Sequence, residues 1–359
     1  MDEYPSADPL ETPFTRKLFE QLKRHPKRIV FTEGEDLRVL RAARRLVELE
    51  AAAPILIGEP DTMRAIAREH KIPLEFIRLL KPRACSDFGL FCRRFEKIER
   101  YRRLRVLDPA EIVARPQYFG ALMVQYGQAD ALVGGNKMLP ISLYRALLHT
   151  IKPLPHVPKV FSAMLLVGRE GLRNFGGDGA LLLADSGMIL KPEVEELAAI
   201  ATETGKLARH LLGRTPQVAL LSHSTHGSSP SEDARRVAAA TALARDRALA
   251  ELVELRIDGE LQADVALDPA AAEIKIPGKT PRPRADVLVF PNLDAAHISL
   301  KLLRHVAGTT NYGHIVMGLS RPTAQIPRTA DANAILGTAA VVGFRAIKFH
   351  ELYPDGEVG

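Results

Sequence analysis

The segment Leu221-Ser-His-Ser-Thr-His-Gly-Ser228 packs hydroxyls, two histidines and a glycine into one short stretch, between an apolar run and a helical pattern. It predicts a buried strand, a polar loop and a helix. The predicted N-cap is Ser229, with Pro230 in the first turn and Glu232, three residues on, completing a capping box. Free backbone N–H groups at a helix start attract anions, and Ser222, Ser224, Thr225 and Ser228 could add hydroxyl donors. That combination suits phosphate. It equally suits a capped helix after a polar loop that binds nothing. His223 and His226 flank Ser224-Thr225 without a third ligand, so they do not read as a metal site.

Two other clusters invite chemistry. The run Arg93-Arg-Phe-Glu-Lys-Ile-Glu-Arg-Tyr-Arg-Arg-Leu-Arg105 is strongly basic but interrupted by glutamates. It reads as a solvated helix face or as part of a small-anion pocket. No helix-turn-helix, zinc or RNA-binding motif accompanies it, so no nucleic-acid partner is expected. The glycine-rich Asn174-Phe-Gly-Gly-Asp-Gly179 lacks the Walker lysine and the dinucleotide spacing, and a β-hairpin turn is the reading it supports.

The elements that must position these residues alternate. Ile29–Thr32, Pro54–Ile57, Ala131–Val133, Lys159–Val167, Ala180–Ala184, Val287–Phe290 and His314–Met317 are short apolar runs that predict strands. Helical patterns fill the gaps: Val39 to Val47, Ile141 to Ile151, Glu193 to Leu212, Ala295 to Val306 and Ala332 to Val342. In Glu193 to Leu212, Val194, Leu197, Ala198, Ala201, Thr204, Leu207, Ala208 and Leu211 form an apolar stripe closed by Gly213. Strand and helix in alternation indicate a parallel, helix-covered sheet. The proline-spotted Lys152-Pro-Leu-Pro-His-Val-Pro158 is the candidate hinge. It separates a first domain, residues 1–150 with a loose or disordered arm and a short helix over 1–26, from a second, residues 151–309. Residues 310–359 return to complete the first.

With 359 residues the chain is long enough for two domains. Hydrophobic residues make up 46% and charged residues 26%, which excludes a disordered chain. No apolar run approaches the roughly 20 residues of a membrane span, the start lacks a signal-peptide core, and Cys85 and Cys92 have no CxxC spacing; no membrane partner and a reduced cytoplasmic setting are expected. The formal net charge of +6 suits an acidic, polyphosphorylated substrate.

Six blocks, in order, give the chain a wider resemblance. They are Arg28-Ile-Val-Phe-Thr-Glu-Gly-Glu-Asp36, Tyr118-Phe-Gly-Ala-Leu-Met-Val124, Ala129-Asp-Ala-Leu-Val-Gly-Gly135, Leu221–Ser228, Asp258-Gly-Glu-Leu-Gln-Ala-Asp264 and Gly318-Leu-Ser-Arg-Pro322. Together, from about Arg28 to Gly343, they resemble the phosphate acetyl/butyryltransferase family, including the phosphotransacetylase-like domain at the C-terminus of some malic enzymes. The resemblance implies two α/β/α domains with a cleft between them, like the isocitrate/isopropylmalate dehydrogenase fold, and a homodimer. It implies transfer of an acyl group, acetyl first among the choices, between coenzyme A and inorganic phosphate, both of them substrates, with no metal or other cofactor.

The resemblance also implies residues. Arg102, in the basic helix, Arg145, ten residues after Gly135, and Arg328, before the last helix, take the places of arginines that would stabilise charge on the carbonyl and phosphate. Arg100, Arg103 and Arg105 offer alternative registers for the first. A surface or salt-bridged arginine is the plain alternative for each. Two positions depart from the family pattern: Pro327 stands where a serine is usual, and Ala334 where the catalytic aspartate is. Asp331, one helical turn before Ala334, is the candidate base, or else the N-cap of the last helix. In the loop Asn136-Lys-Met-Leu-Pro-Ile-Ser142, Lys137 could bind phosphate, as could His226 in the hydroxyl loop.

Three functions compete on this reading. One is an active phosphate acyltransferase using acetyl, butyryl or another acyl group. Another is a relative that has lost catalysis and senses acyl-CoA or acyl phosphate, as Pro327 and Ala334 suggest. The third, a decarboxylating dehydrogenase, needs clustered aspartates and a nicotinamide site, and the sequence offers neither clearly.

Overall fold

The computed structural model describes residues 6–102, 108–168, 172, 175–176, 178–278 and 283–347. Arg103 and Arg105 of the basic run, Asn174 and Gly177 of the glycine cluster, the first five residues of the arm and the chain beyond 347 lie outside them. Eleven strands run through the described residues: β1 (Lys27–Phe31), β2 (Ala52–Ile57), β3 (Arg78–Leu80), β4 (Ala131–Gly134), β5 (Phe161–Val167), β6 (Ala180–Ala184), β7 (Gln217–Leu221), β8 (Arg256–Leu261), β9 (Val287–Val289), β10 (Thr310–Met317) and β11 (Thr323–Gln325). The chain divides into two compact units: Asp8–Leu154 with Leu319–Gly359, and Met1–Ala7 with Pro155–Gly318.

In the unit that begins at Asp8, strands lie in the order β3-β2-β1-β4-β11, all parallel. Alternation along β1 sets its two faces. Ile29 and Phe31 enter a core with Leu40 and Leu46 of the helix Leu37–Glu48 and Leu336 and Ala339 of the helix Ala332–Ile347. Burial of each large side chain stabilises by about 1.5–3 kcal/mol. Val30 points the other way, toward the helix Pro116–Gln125. A Cβ on Gly120 there would lie 3.0 Å from Val30 Cγ1 and 3.1 Å from Leu132 Cδ1, so the missing side chain brings that helix close to the sheet.

The other unit orders its strands β10-β5-β6-β9-β7-β8. Here β5 runs antiparallel to both β10 and β6, while β6, β9, β7 and β8 are mutually parallel. The expected hairpin is therefore the β5–β6 connection. The helix Val194–Leu212 starts with a reciprocal capping box between Glu193 and Glu196 and ends at Gly213, whose φ of 70° suits glycine. It differs from the one-striped helix expected: the sheet covers one side and the helix Glu232–Ala250 packs on it too, so Glu203 and Lys206 are buried as well. Lys206 Nζ lies 2.6 Å from Glu203 Oε1 and also meets Glu251, and His156 Nε2 is 3.4 Å from the same Glu203 oxygen.

Three expectations are corrected. The arm over 1–26 is not loose from Pro13 on: Pro13–Arg24 is a helix whose Phe19 and Leu22 enter the core beside β1. The helix after the hydroxyl loop is capped by Ser231, whose Oγ accepts from Ala234 N at 3.0 Å, and begins at Glu232. Ser231 is itself extended, with φ -142° and ψ 167°, so Pro230 lies outside the helix and the Ser229–Glu232 box does not form. The segment 310–318 was expected to complete the first domain. It sits instead with Pro155–Gly318, because β10 pairs along β5; the return to the Asp8–Leu154 unit begins at Leu319.

Candidate active site

In the unit Asp8–Leu154 with Leu319–Gly359, the chain leaves β1 for β2 on one side and later places β4 on the other. Such a reversal opens a crevice outside the carboxyl ends of the two strands, a usual place for ligands in parallel sheets. Glu33 follows β1 into this edge. Gly135 N donates to both its carboxylate oxygens, at 2.9 and 3.0 Å, and Thr32 Oγ1 donates to Oε2 at 2.7 Å. Burial pushes the Glu33 carboxyl above its ordinary pKa, and these bonds offset it only in part.

Asp36, the cap of the next helix, is the second carboxylate. Arg38 grips it through Nε at 3.0 Å and Nη2 at 2.7 Å, and Asn136 Nδ2 donates at 2.9 Å. Burial alone would raise Asp36; the Arg38 bonds and charge outweigh it, and the pKa is lowered. Arg38 also reaches across the sequence: Nη1 donates to Arg328 O at 2.8 Å and Ala330 O at 2.7 Å. One guanidinium thus ties the loop Pro327–Asp331 to the carboxyl end of β1 and to Asn136. Sequence reasoning did not single out Arg38. Its only local signal was an arginine two residues after a capping aspartate.

This hub brings three predicted residues together. Arg328 is exposed, and its guanidinium has no hydrogen-bond or ion-pair partner among the described residues. Lys137, also exposed, lowers the pKa values of Glu33 and Asp36 by its charge. Asp331 caps the last helix, its Oδ1 accepting from Ala334 N at 2.8 Å. Ala334 itself is 3% exposed and belongs to the apolar core.

Arg102 and Arg145 meet elsewhere in the same unit, on the helix Pro140–Thr150. Arg145 projects from it, exposed and without a hydrogen-bond or ion-pair partner among the described residues. One turn on, His149 Nδ1 lies 3.0 Å from Tyr118 Oη. Burial, then the charges of Arg145 and Arg102, lower the His149 pKa, so the imidazole is neutral near pH 7. Arg102 is engaged at the helix end: its guanidinium donates to Leu148 O and, at 3.2 Å, to Ile151 O. A cation satisfying the last carbonyls of a helix also complements its dipole.

The hydroxyl loop belongs to the Pro155–Gly318 unit; Ser224 and Thr225 are buried, and His226 and Ser228 are exposed. Glu260 Oε1 accepts from Ser224 Oγ at 2.8 Å and from Gly227 N at 2.6 Å. Burial would raise the Glu260 pKa, but these bonds win and lower it. Ser228 Oγ accepts from Thr225 N at 3.0 Å, and Thr225 Oγ1 accepts from Gln262 N at 3.0 Å. Ser222 Oγ accepts from Ser224 N at 3.3 Å, and His226 Nε2 lies 3.2 Å from Asp258 Oδ1. The anion in this cradle is the protein's own carboxylate. Among the described residues no group of His, Cys, Asp and Glu comes together to hold a metal ion.

Comparison with known proteins covers nearly the whole chain. Residues 13–342 match the model of the phosphate acetyl/butaryl transferase family. The phosphate acetyltransferase of Acetivibrio thermocellus is 32% identical over 333 residues, 93% of this chain and 98% of that protein. Among solved structures, the EutD phosphotransacetylase of Staphylococcus aureus superposes with a TM-score of 0.82 at 29% identity, covering 92% of this chain and 98% of its own. A phosphotransacetylase of Streptococcus pyogenes gives 0.81 at 28% identity, with 93% and 99% covered.

Proposed function

From the premise that this chain belongs to the phosphate acetyl/butaryl transferase family, we propose that it moves an acyl group, acetyl first, between coenzyme A and inorganic phosphate. The observation that carries the reading is the end-to-end match to a phosphate acetyltransferase at 32% identity. In the direction of thioester synthesis the sulfur of coenzyme A attacks the carbonyl carbon of an acyl phosphate. The C–S bond forms, the C–O bond to phosphate breaks, phosphate leaves as an anion, and the thiol gives up its proton. Negative charge gathers on the carbonyl oxygen and the departing phosphate.

Arg145 and Arg328 supply the cations for that charge. Both guanidinium groups are exposed and uncommitted among the described residues, so neither must break an ion pair to meet an anion. Lys137 adds a third positive charge near the Arg328 loop. Arg102 serves differently: by holding Leu148 O and Ile151 O it fixes the end of the helix that carries Arg145. Asp331 is the candidate proton acceptor near Arg328; its Oδ1 also holds Ala334 N. In the loop Ser222–Ser228 the buried Ser224 serves Glu260, while Ser222, Thr225, His226 and Ser228 remain candidates to meet a phosphate of coenzyme A. The reading extends to a homodimer working in the cytoplasm.

A second reading, a non-catalytic sensor of acyl-CoA or acyl phosphate, is favoured by one observation: Ala334 is in the core and Asp331 is engaged as a cap. The test is thioester formation from acetyl, propionyl or butyryl phosphate and coenzyme A, with calorimetric binding in parallel. Turnover by wild type, with Arg145→Ala and Arg328→Ala each losing it, supports the enzyme. Binding without turnover supports the sensor, and neither binding nor turnover removes both.

A further inference from the structure

At the carboxyl edge of the parallel strands in the Pro155–Gly318 unit, polar groups form a buried chain that the reading above leaves unused. Ser162 Oγ donates to Asp185 Oδ1 at 3.1 Å. Ser162 Oγ and Ser186 Oγ are 3.2 Å apart, and Ser186 Oγ lies 2.9 Å from His314 Nδ1. Ser162 and Ser186 are fully buried, Asp185 is 3% exposed and His314 6%. Asp185 is anchored by Ser162 N, Gly187 N, Met188 N and Ile189 N, so the carboxylate end of the chain is fixed. A Cβ on Gly187 would stand 3.1 Å from both His314 Nδ1 and Ser162 Oγ. The backbone closes directly over the relay.

The direction of the protons follows from the anchored end. The Ser162 proton points to the carboxylate, and the Ser186 hydroxyl donates to Ser162, shared between its Oγ at 3.2 Å and its carbonyl at 3.3 Å, leaving Ser186 Oγ to accept from His314 Nδ1–H. Each hydroxyl then donates once and accepts once, and hydrogen bonds aligned toward a carboxylate strengthen one another. The imidazole is left with its proton on Nδ1 and a lone pair on Nε2. That nitrogen has no hydrogen-bond partner among the described residues. It is not among the buried unpartnered polar atoms of the described residues, so it is open enough to take a donor from outside.

The place fits a ligand. Ala184, Val289 and Leu220 are in register across β6, β9 and β7, so Asp185-Ser186 and the Ser222–Ser228 loop leave the same edge of the sheet. Ligands of parallel α/β sheets gather at that edge. The groups facing His314 are His297, with ring centroids 6.3 Å apart, and Lys301 on the same helix, both cationic when protonated. Burial first, and then these two, keep the imidazole neutral down to about pH 3, so it is an acceptor throughout the working range.

We propose that His314, oriented by the Asp185–Ser162–Ser186 chain, accepts at Nε2 a hydrogen bond from the thiol-bearing arm of coenzyme A, from its S–H or an amide N–H. This rests on the acyl-transfer reading. His314 takes no proton from coenzyme A; it holds that arm to the Pro155–Gly318 unit. Ser186 is a positioning residue because it acts through the imidazole.

The experiment has three parts on the full-length protein. Nitrogen-15 NMR of the histidines should show His314 as the Nδ1–H tautomer in wild type; the Nε2–H tautomer overturns the proposal. Calorimetry of His314→Ala should show coenzyme A binding about tenfold weaker than wild type, and Ser186→Ala, which keeps the imidazole, should weaken it by a smaller factor. Coenzyme A lacking its sulfur separates the donors. If His314→Ala weakens only the intact molecule, the partner is the thiol; if both weaken equally, it is an amide. Unchanged affinity for both in a variant that melts like wild type overturns the proposal. Should His314→Ala not fold, Ser186→Ala decides, with unchanged affinity again the contrary result. Wild type that binds no coenzyme A removes the acyl-transfer reading itself, a different failure from a normal wild type with an indifferent His314.

Discussion

Replacing Arg38 with methionine keeps the aliphatic stem and removes the fork that joins Asp36, Arg328 O and Ala330 O. Two of the lost bonds are charge-assisted contacts to a carboxylate whose side chain is only 6% exposed. Such bonds contribute about 1.5–3 kcal/mol each when buried, but the Arg38 side chain is 31% exposed, and solvent screening reduces this. Asp36 keeps Asn136 Nδ2 and Arg38 N, so its charge is not abandoned. The net loss expected is about 3 kcal/mol, a large share of the roughly 5–15 kcal/mol that holds a domain folded. Urea titration reads it as a lower midpoint at an unchanged slope. Hydrogen exchange should speed up at residues 328–331, where the two carbonyl anchors are gone, and thioester formation should fall about tenfold or more because Arg328 is no longer held. Arg38→Lys should fall between, since one ammonium cannot span both partners. A stability change under about 1 kcal/mol, with normal exchange over 328–331, would refute the idea that Arg38 assembles this loop.

Other perturbations separate further parts of the account. Lys206→Ala takes from buried Glu203 the ammonium 2.6 Å away and leaves His156 beside it, and should cost about 3 kcal/mol in urea titration; a loss below about 1 kcal/mol would show the cluster to be slack. Ser231→Ala should cost about 1 kcal/mol and Ser229→Ala almost nothing, and the reverse order would restore Ser229 as the cap. Burial holds the folded-state pKa of His314 at about 3, below that of a free imidazole, so as pH falls through about 6.5 the unfolded chain binds a proton that the folded chain refuses. Its contribution is therefore whole above that value and lost below it, at about 1.4 kcal/mol per pH unit. His149 and His297, also lowered, act in the same direction. Stability followed from pH 7 to about 5 should decline less steeply in His314→Gln, and an identical slope would mean the imidazole is not held neutral. Ala334→Asp places a carboxylate in the core and should destabilise by about 2 kcal/mol or more; a stable variant with faster turnover would mark Ala334 as a decayed catalytic position.

Much of this architecture was legible because local chemistry and tertiary need agree. The Glu193–Leu212 helix carries its capping box and terminal glycine in the sequence, and the runs at Ala131, Ala180 and Val287 are apolar because both faces of those strands are covered. Strands β3 and β11, each three residues long, are too short to show a period. Two serines flanking Pro230 made the cap ambiguous, and the extended backbone of Ser231 with its Oγ on Ala234 N decides it. At the candidate site, Arg145 and Arg328 were readable through the family pattern, and both are exposed. Arg38 was not, since its partners lie 290 and 292 positions away. His314 was hidden for a related reason. A histidine inside an apolar strand announces a buried polar group, but its partners Ser186 and Asp185 come from another strand end. In the hydroxyl loop the partner of Ser224 was not legible, because Glu260 stands 36 residues away.

The central claim is transfer of an acyl group to phosphate, and isotope exchange tests it most directly. Acetyl-CoA incubated with labelled inorganic phosphate and the wild-type protein should yield labelled acetyl phosphate together with free coenzyme A. Label that stays in inorganic phosphate with acetyl-, propionyl- and butyryl-CoA alike would contradict the account.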